Sequence, residues 1–215
     1  MSTTSWGAAE LADAIRRSCA SVRAARSELT ALDAAAGDGD LGESLAIGVA
    51  AIERDLDDAE PVDVGDVLRR TGTSLSTAAP STFGTLLGMA LRDAGRALAD
   101  RSEFAPDDVV RMLDAMVAGV QRRGEVQAGQ RTVLDGLLAS RDELERSTPA
   151  GTAAAMQAVA RGARAGAEAT ASMRAQVGRA GWIGERAEGR PDAGAQAWAV
   201  IATGMAGQPD CPGNA

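Results

Sequence analysis

Apolar residues recur along this chain at the three-and-four spacing of a helix face. Leu45, Val49, Ile52 and Leu56 fall at i, i+4, i+7 and i+11 with polar residues between them. Val109, Leu113, Met116 and Val120 repeat the pattern, and Leu134, Leu137 or Leu138, and Leu144 follow it again. The spacing predicts eight helical stretches, near 8–30, 43–57, 62–75, 82–100, 106–122, 130–146, 149–175 and 192–206. Start signals agree: "APDD" ahead of Val109 and "STPAG" after Arg146 supply capping side chains and first-turn prolines. Most connections are short, as between antiparallel helical neighbours. The chain reads as a single all-α domain over 1–215, with no internal repeat.

Two segments break the pattern. Residues 150–175 are rich in Ala and Gly, which reads as a helix whose small side chains let neighbours approach closely. Residues 177–195, "VGRAGWIGERAEGRPDAGA", form a long glycine-punctuated stretch with arginines, and ordered loops of that length often carry function.

Composition narrows the chemistry. Aromatic residues make up only 2% of the 215 positions, so the core is aliphatic and strand formers are few. A net charge of −8 disfavours nucleic acid or an anionic membrane as the main partner. No apolar run is long enough to span a bilayer, and the start lacks a signal-peptide pattern. Cys19 and Cys211 lie far apart without metal-type spacing, which suggests reduced thiols in a cytoplasmic protein. Histidine is absent, which excludes histidine-activated nucleophiles, imidazole zinc sites and phosphohistidine relays within the chain. Carboxylates, backbone dipoles, arginines or a bound ion must carry any chemistry, and no side chain is singled out as catalytic.

The stretch "LDAAAGDGDLGESL" at 32–45 is the candidate. Asp33, Asp38 and Asp40 are spaced D-x4-D-x-D, with Gly37 and Gly39 freeing the backbone for a tight reversal. The pattern predicts carboxylates converging from a loop, where they repel unless a cation neutralises them. Mg²⁺ suits that role, because it takes oxygen ligands and leaves positions for water and phosphate. The following helix start favours anions. The spacing alone also fits a solvated acidic turn; an EF-hand and a Walker A loop are absent.

"LDAAAGDGDLG" resembles the signature of the nucleotide-binding L subunit of dihydroxyacetone kinase, approximately LD-x3-GD-x-DHG. "FGTLLG" at 83–88, "GVQRRGEVQAGQRTVLDGL" at 119–137 and "TASMRAQVGRAGWIGERAEGRPDAGA" at 170–195 match further family segments in the same order. The resemblance implies an eight-helix antiparallel barrel that holds ADP or ATP at one end with two Mg²⁺ ions. By position, Asp33, Asp38 and Asp40 would be metal ligands, and Leu41, Gly42, Glu43 and Ser44 would present amides to phosphate. Ser76 and Thr77 would stand at the phosphate loop, and Gly124 and Val133 at the adenine. Arg179 would meet the nucleotide, and Asp192, Ala193 and Gly194 would close over it.

The family resemblance also implies partners: a sugar-binding K subunit, and in one variant a phosphotransferase-system phosphodonor protein. A homodimer is a further option. The implied activity is phosphoryl donation to dihydroxyacetone or a similar ketose, with the chain inactive alone. Departures from the pattern are Leu41 for the family's histidine, Ser76 and Thr77 for paired glycines, Gln130 for an acidic residue, and Ala193 for proline. They leave open an alternative, a diverged non-catalytic barrel with lost or altered nucleotide affinity.

Overall fold

The computed structural model describes residues 5–79, 81–177 and 189–207. Among them are nine helices: α1 (Ala8–Ala24), α2 (Arg26–Ala36), α3 (Leu41–Asp58), α4 (Val64–Ala78), α5 (Thr82–Ala97), α6 (Pro106–Gly124), α7 (Val133–Ser147), α8 (Thr152–Thr170) and α9 (Ala193–Met205). No strand forms among the described residues; only an isolated bridge joins Trp6 to Phe104.

The expected 8–30 helix is two helices. The backbone bends at Ala25 and continues as α2, which buries only Leu29. Other ends follow local caps. Asp63 accepts the Asp66 amide at 2.6 Å and starts α4. Thr132 and Asp135 form a capping box that starts α7 at Val133, three residues later than the periodicity suggested. Ser81 caps α5 through the Gly84 amide, and Asp192 caps α9 through the Ala195 amide at 2.8 Å.

Eight helices form a closed ring. In the order α1, α3, α4, α5, α6, α7, α8, α9, each packs on the next, and α9 packs back on α1. The ninth, α2, lies mainly against α3. At one end, Trp6 and Phe104 exchange backbone hydrogen bonds, the Thr152 hydroxyl donates to the Phe104 carbonyl, and the Val64 amide donates to the Arg101 carbonyl. That end therefore gathers the N-termini of α1, α4, α6 and α8. The N-termini of α3, α5, α7 and α9 lie at the other, so neighbours alternate in direction around the barrel.

Small residues set the closest contacts. Gly65 and Gly72 on α4 face Gly95 and Gly88 on α5; a Cβ on Gly88 would stand 2.6 Å from the Gly72 carbonyl oxygen. A Cβ on Gly166 of α8 would meet the Ala139 side chain on α7 at 2.7 Å, so the Ala/Gly-rich stretch is the close-packing helix its composition predicts. Inside the ring, Leu11, Leu45, Leu68, Met112, Met116, Leu134 and Trp198 are fully buried. The Trp198 indole N–H donates to Ser140 Oγ at 2.9 Å, which satisfies the one polar atom of that ring. Cys19 lines a small apolar void of about 50 Å³, and burial pushes its thiol up to about 12. Cys211 lies outside the described residues. Among the described residues, no helix is long and apolar enough to cross a membrane.

Candidate functional site

The end of the barrel that gathers the N-termini of α3, α5, α7 and α9 opens into a cleft of about 460 Å³. That volume suits a small ligand. Leu41, Thr82, Val133 and Ala193, the first residues of those four helices, all line it. Each helix start directs amides without intrahelical partners and the positive end of its dipole outward, so four such starts around one cleft favour an anion.

The three aspartates stand at this cleft. Asp33 belongs to the last turn of α2, so it reaches the cluster from a helix; the expected all-loop origin holds only for Asp38 and Asp40. One oxygen of the Asp33 carboxylate, Oδ2, accepts the amides of Asp40 at 3.0 Å and Leu41 at 3.3 Å. The carboxylate thereby caps α3 across the turn. A Cβ at residue 37 would stand 2.5 Å from Asp33 Oδ1, and residue 39 has φ +76°, so both turn positions call for glycine.

One carboxylate oxygen from each of Asp33, Asp38 and Asp40 lies within 4.8 Å of the others. Oxygen ligands about 2.1 Å from Mg²⁺ stand at most about 4 Å apart across the ion, so the cluster fits a divalent cation after a small closing movement. No ion pair joins Asp33 or Asp40 to an arginine among the described residues.

The rest of the cleft divides into apolar and charged parts. Phe83, Leu86, Val120, Val126, Val133 and Val177 give an apolar wall with Gly124 beside it. Arg131, Arg190 and Asp192 supply the charged part. Arg131 is buried although charged. Its Nε donates to the Thr170 carbonyl at 3.1 Å and its Nη2 to the Arg190 carbonyl at 2.9 Å. Asp192 is only partly covered from solvent, yet burial of its carboxyl pushes the pKa up to about 6, and Asp135 adds to the rise. The Ala195 amide and the Arg131 charge oppose it.

Of the other positions that the resemblance nominated, Leu41, Gly124, Val133, Asp192, Ala193 and Gly194 line the cleft. Gly42, Glu43 and Ser44 do not. Gly42 packs against the Arg26 carbonyl and the Thr30 hydroxyl, Glu43 pairs with Arg26 on the outside at 2.9 Å, and Ser44 is buried with its hydroxyl unpartnered. Ser76 and Thr77 lie in the last turns of α4, not in a loop, and are outside the cleft lining. Ser76 packs on Gly88 of α5; Ser81, Thr82 and Phe83 line the cleft in their place. Arg179 lies outside the described residues.

Sequence reasoning passed over Arg131 and Phe83. The match of "FGTLLG" to a family segment was the available signal for Phe83. Arg131 had none beyond its place beside Gln130, because the Thr170 and Arg190 carbonyls it bonds are 39 and 59 residues away.

Comparison with known proteins accords with this geometry. The family model of the DAK2 domain matches residues 35–207. The PEP-dependent dihydroxyacetone kinase 2, ADP-binding subunit DhaL, of Listeria innocua is 32% identical over 180 residues, covering 82% of this chain and 83% of that one. L-erythrulose 1-kinase of Mycolicibacterium smegmatis is 34% identical over 176 residues, 81% of this chain, but the match spans only 31% of that longer protein. The dihydroxyacetone kinase of C. freundii, whose structure is known in complex with AMP-PNP and Mg²⁺, superposes with a TM-score of 0.72 at 24% identity. That match covers 96% of this chain and 36% of that one, and it shows a shared fold. With most of its length matched by the family model and by relatives above 30% identity, the chain belongs to the DAK2 domain family.

Proposed function

We propose that the chain is the nucleotide-binding, phosphoryl-donor subunit of a kinase for dihydroxyacetone or a related short-chain ketose. One observation carries the reading: three converging carboxylates stand at a cleft shared by four helix N-termini. A carboxylate cluster alone would repel a nucleotide, and helix starts alone would not order a polyphosphate. Together they match a metal-bound diphosphate. The named activities of the relatives support the same reading. One is called an ADP-binding subunit and another a kinase of a four-carbon ketose.

In this reading Asp33, Asp38 and Asp40 hold two Mg²⁺ ions, with Asp33 also fixing the start of α3. Bound magnesium would supply charge neutralisation for in-line phosphoryl transfer. Amides at the starts of α3, α5, α7 and α9 orient the phosphates, and the wall of Phe83, Leu86 and Val133 takes the base. Asp192, Ala193 and Gly194 border the cleft from the α9 side. Of the departures that raised the alternative of a non-binding barrel, Ser76 and Thr77 lie within α4 and outside the cleft lining, whereas Leu41 and Ala193 line it.

Such a subunit supplies the donor, while a separate sugar-binding K subunit positions the acceptor hydroxyl. Retention of ADP through purification would favour a phosphotransferase-system protein as the phosphodonor; free exchange would favour ATP. The test is a coupled assay for triose phosphate with ATP, Mg²⁺ and dihydroxyacetone. We expect no turnover from the purified chain alone and turnover once a K subunit is added. Turnover without a partner would overturn the division of labour.

A further inference from the structure

We infer that Arg131 is a positioning residue, whose guanidinium locks the 189–192 segment to the end of α8 and so holds the α9 N-terminus at the cleft. This rests on the nucleotide reading only for its consequence in binding, not for the lock itself.

Arg131 has three features that surface arginines lack. It is 5% exposed, its backbone is left-handed at φ +62°, and it sits in the turn entering α7. Left-handed backbone costs a non-glycine residue about 1 kcal/mol, and a buried cation costs several more unless its hydrogens are satisfied. The structure recovers these costs in a particular place. Nε donates to the carbonyl of Thr170, the last residue of α8, where the helix dipole is negative and carbonyls lack intrahelical partners. Nη2 donates to the Arg190 carbonyl, two residues before the α9 cap.

The same short segment is tied to α8 twice more. The Gly189 amide donates to the Ala171 carbonyl at 3.1 Å, and the Asp192 amide donates to Thr170 Oγ1 at 2.7 Å. Those two bonds join the segment to α8 alone. Arg131 joins both to the α7 entry turn, which Asp135 holds by accepting the amides of Gly129 at 2.6 Å and Thr132 at 2.9 Å. One side chain therefore ties the α7 entry turn to the segment entering α9, and both helix starts line the cleft. Its charge also lowers the cost of ionising Asp192, the α9 cap.

Replacing Arg131 with methionine keeps the aliphatic stem and removes the bonds to the Thr170 and Arg190 carbonyls. In the ligand-free protein, amide hydrogen exchange at Asp192 and Ala195 should rise at least tenfold in Arg131→Met, while exchange within α4 and α5 stays at the wild-type rate. With Mg²⁺ and ADP, the dissociation rate should rise about tenfold with association little changed. Arg131→Lys, which keeps the charge but reaches one carbonyl at most, should fall between. Thr152→Ala, which removes a buried hydrogen bond to the Phe104 carbonyl at the far end of the barrel, controls for destabilisation and should leave both rates unchanged. If Arg131→Met is too unstable to study, Arg131→Lys alone decides. Wild-type exchange at Asp192 and Ala195 in the folded variant would overturn the lock. Raised exchange with wild-type ADP dissociation would overturn its role in binding. Failure of the wild type to bind Mg-ADP would count against the nucleotide reading, with the lock judged by exchange alone.

Discussion

Asp33 spends one carboxylate oxygen on the amides of Asp40 and Leu41 and brings the same carboxylate into the acidic cluster, so two losses follow its removal. Asp33→Ala should lower stability by about 1 kcal/mol, the usual worth of a lost cap, and also abolish Mg²⁺-dependent binding. Asp40 makes no side-chain cap bond, so Asp40→Asn should lose the metal response without a fall in melting temperature. Equal destabilisation by both would mean that the Asp33 cap carries no weight. Asp192 gives a pH signature. Its carboxyl holds a proton up to about pH 6 in the folded chain, against about 4 when unfolded. The folded state therefore binds the extra proton between those values, and stability falls as pH rises from about 4 to 6. Asp192→Asn keeps the cap acceptor without the charge and should lack this component of the melting profile, a difference of a few degrees. A wild-type profile in the variant would contradict the buried-carboxylate account. The convergence of Asp38 and Asp40 was legible because glycines frame them in sequence. The cap made by Asp33 was not, since it depends on how the α2–α3 turn folds back and not on residue spacing.

Periodicity located the ring helices because each buries a continuous apolar stripe. It missed the break at Ala25, where the bend is made by ordinary backbone and α2 contributes only Leu29 to the interior. Helix starts fixed by caps, such as Thr132 with Asp135, shifted by a few residues for the same reason: a hydrogen bond and not hydrophobic spacing sets them. The α4–α5 pair is held by backbone contact at Gly65, Gly72, Gly88 and Gly95, a packing role that the sequence did not disclose. A side chain there meets main chain, which cannot move aside as a flexible side chain does. Gly88→Val should cost about 2 kcal/mol or more, read as a lower urea midpoint, because its Cβ would press on the Gly72 carbonyl and the Ser76 amide. An unchanged midpoint would mean that the two helices are not packed this closely. Ser76, expected at a phosphate loop, instead belongs to this seam.

Alternation of direction around the closed ring is what turns eight helices into a site. It brings four N-termini to one end, and the α2–α3 turn delivers three carboxylates to the same end. Fold class and the converging carboxylates were legible from local pattern. The Arg131 lock was not, because it joins segments distant in sequence. The chain spans 83% of a DhaL subunit but about a third of the ketose kinase it matches, so the barrel also occurs as part of longer proteins. The measurement that bears most directly on the central claim is isothermal titration of ADP and ATP into the nucleotide-free chain, with and without Mg²⁺, beside Asp38→Asn. The account predicts saturable, Mg²⁺-dependent binding that falls at least a hundredfold in the variant. Absence of binding to the folded wild-type chain, or binding indifferent to both Mg²⁺ and the substitution, would contradict it.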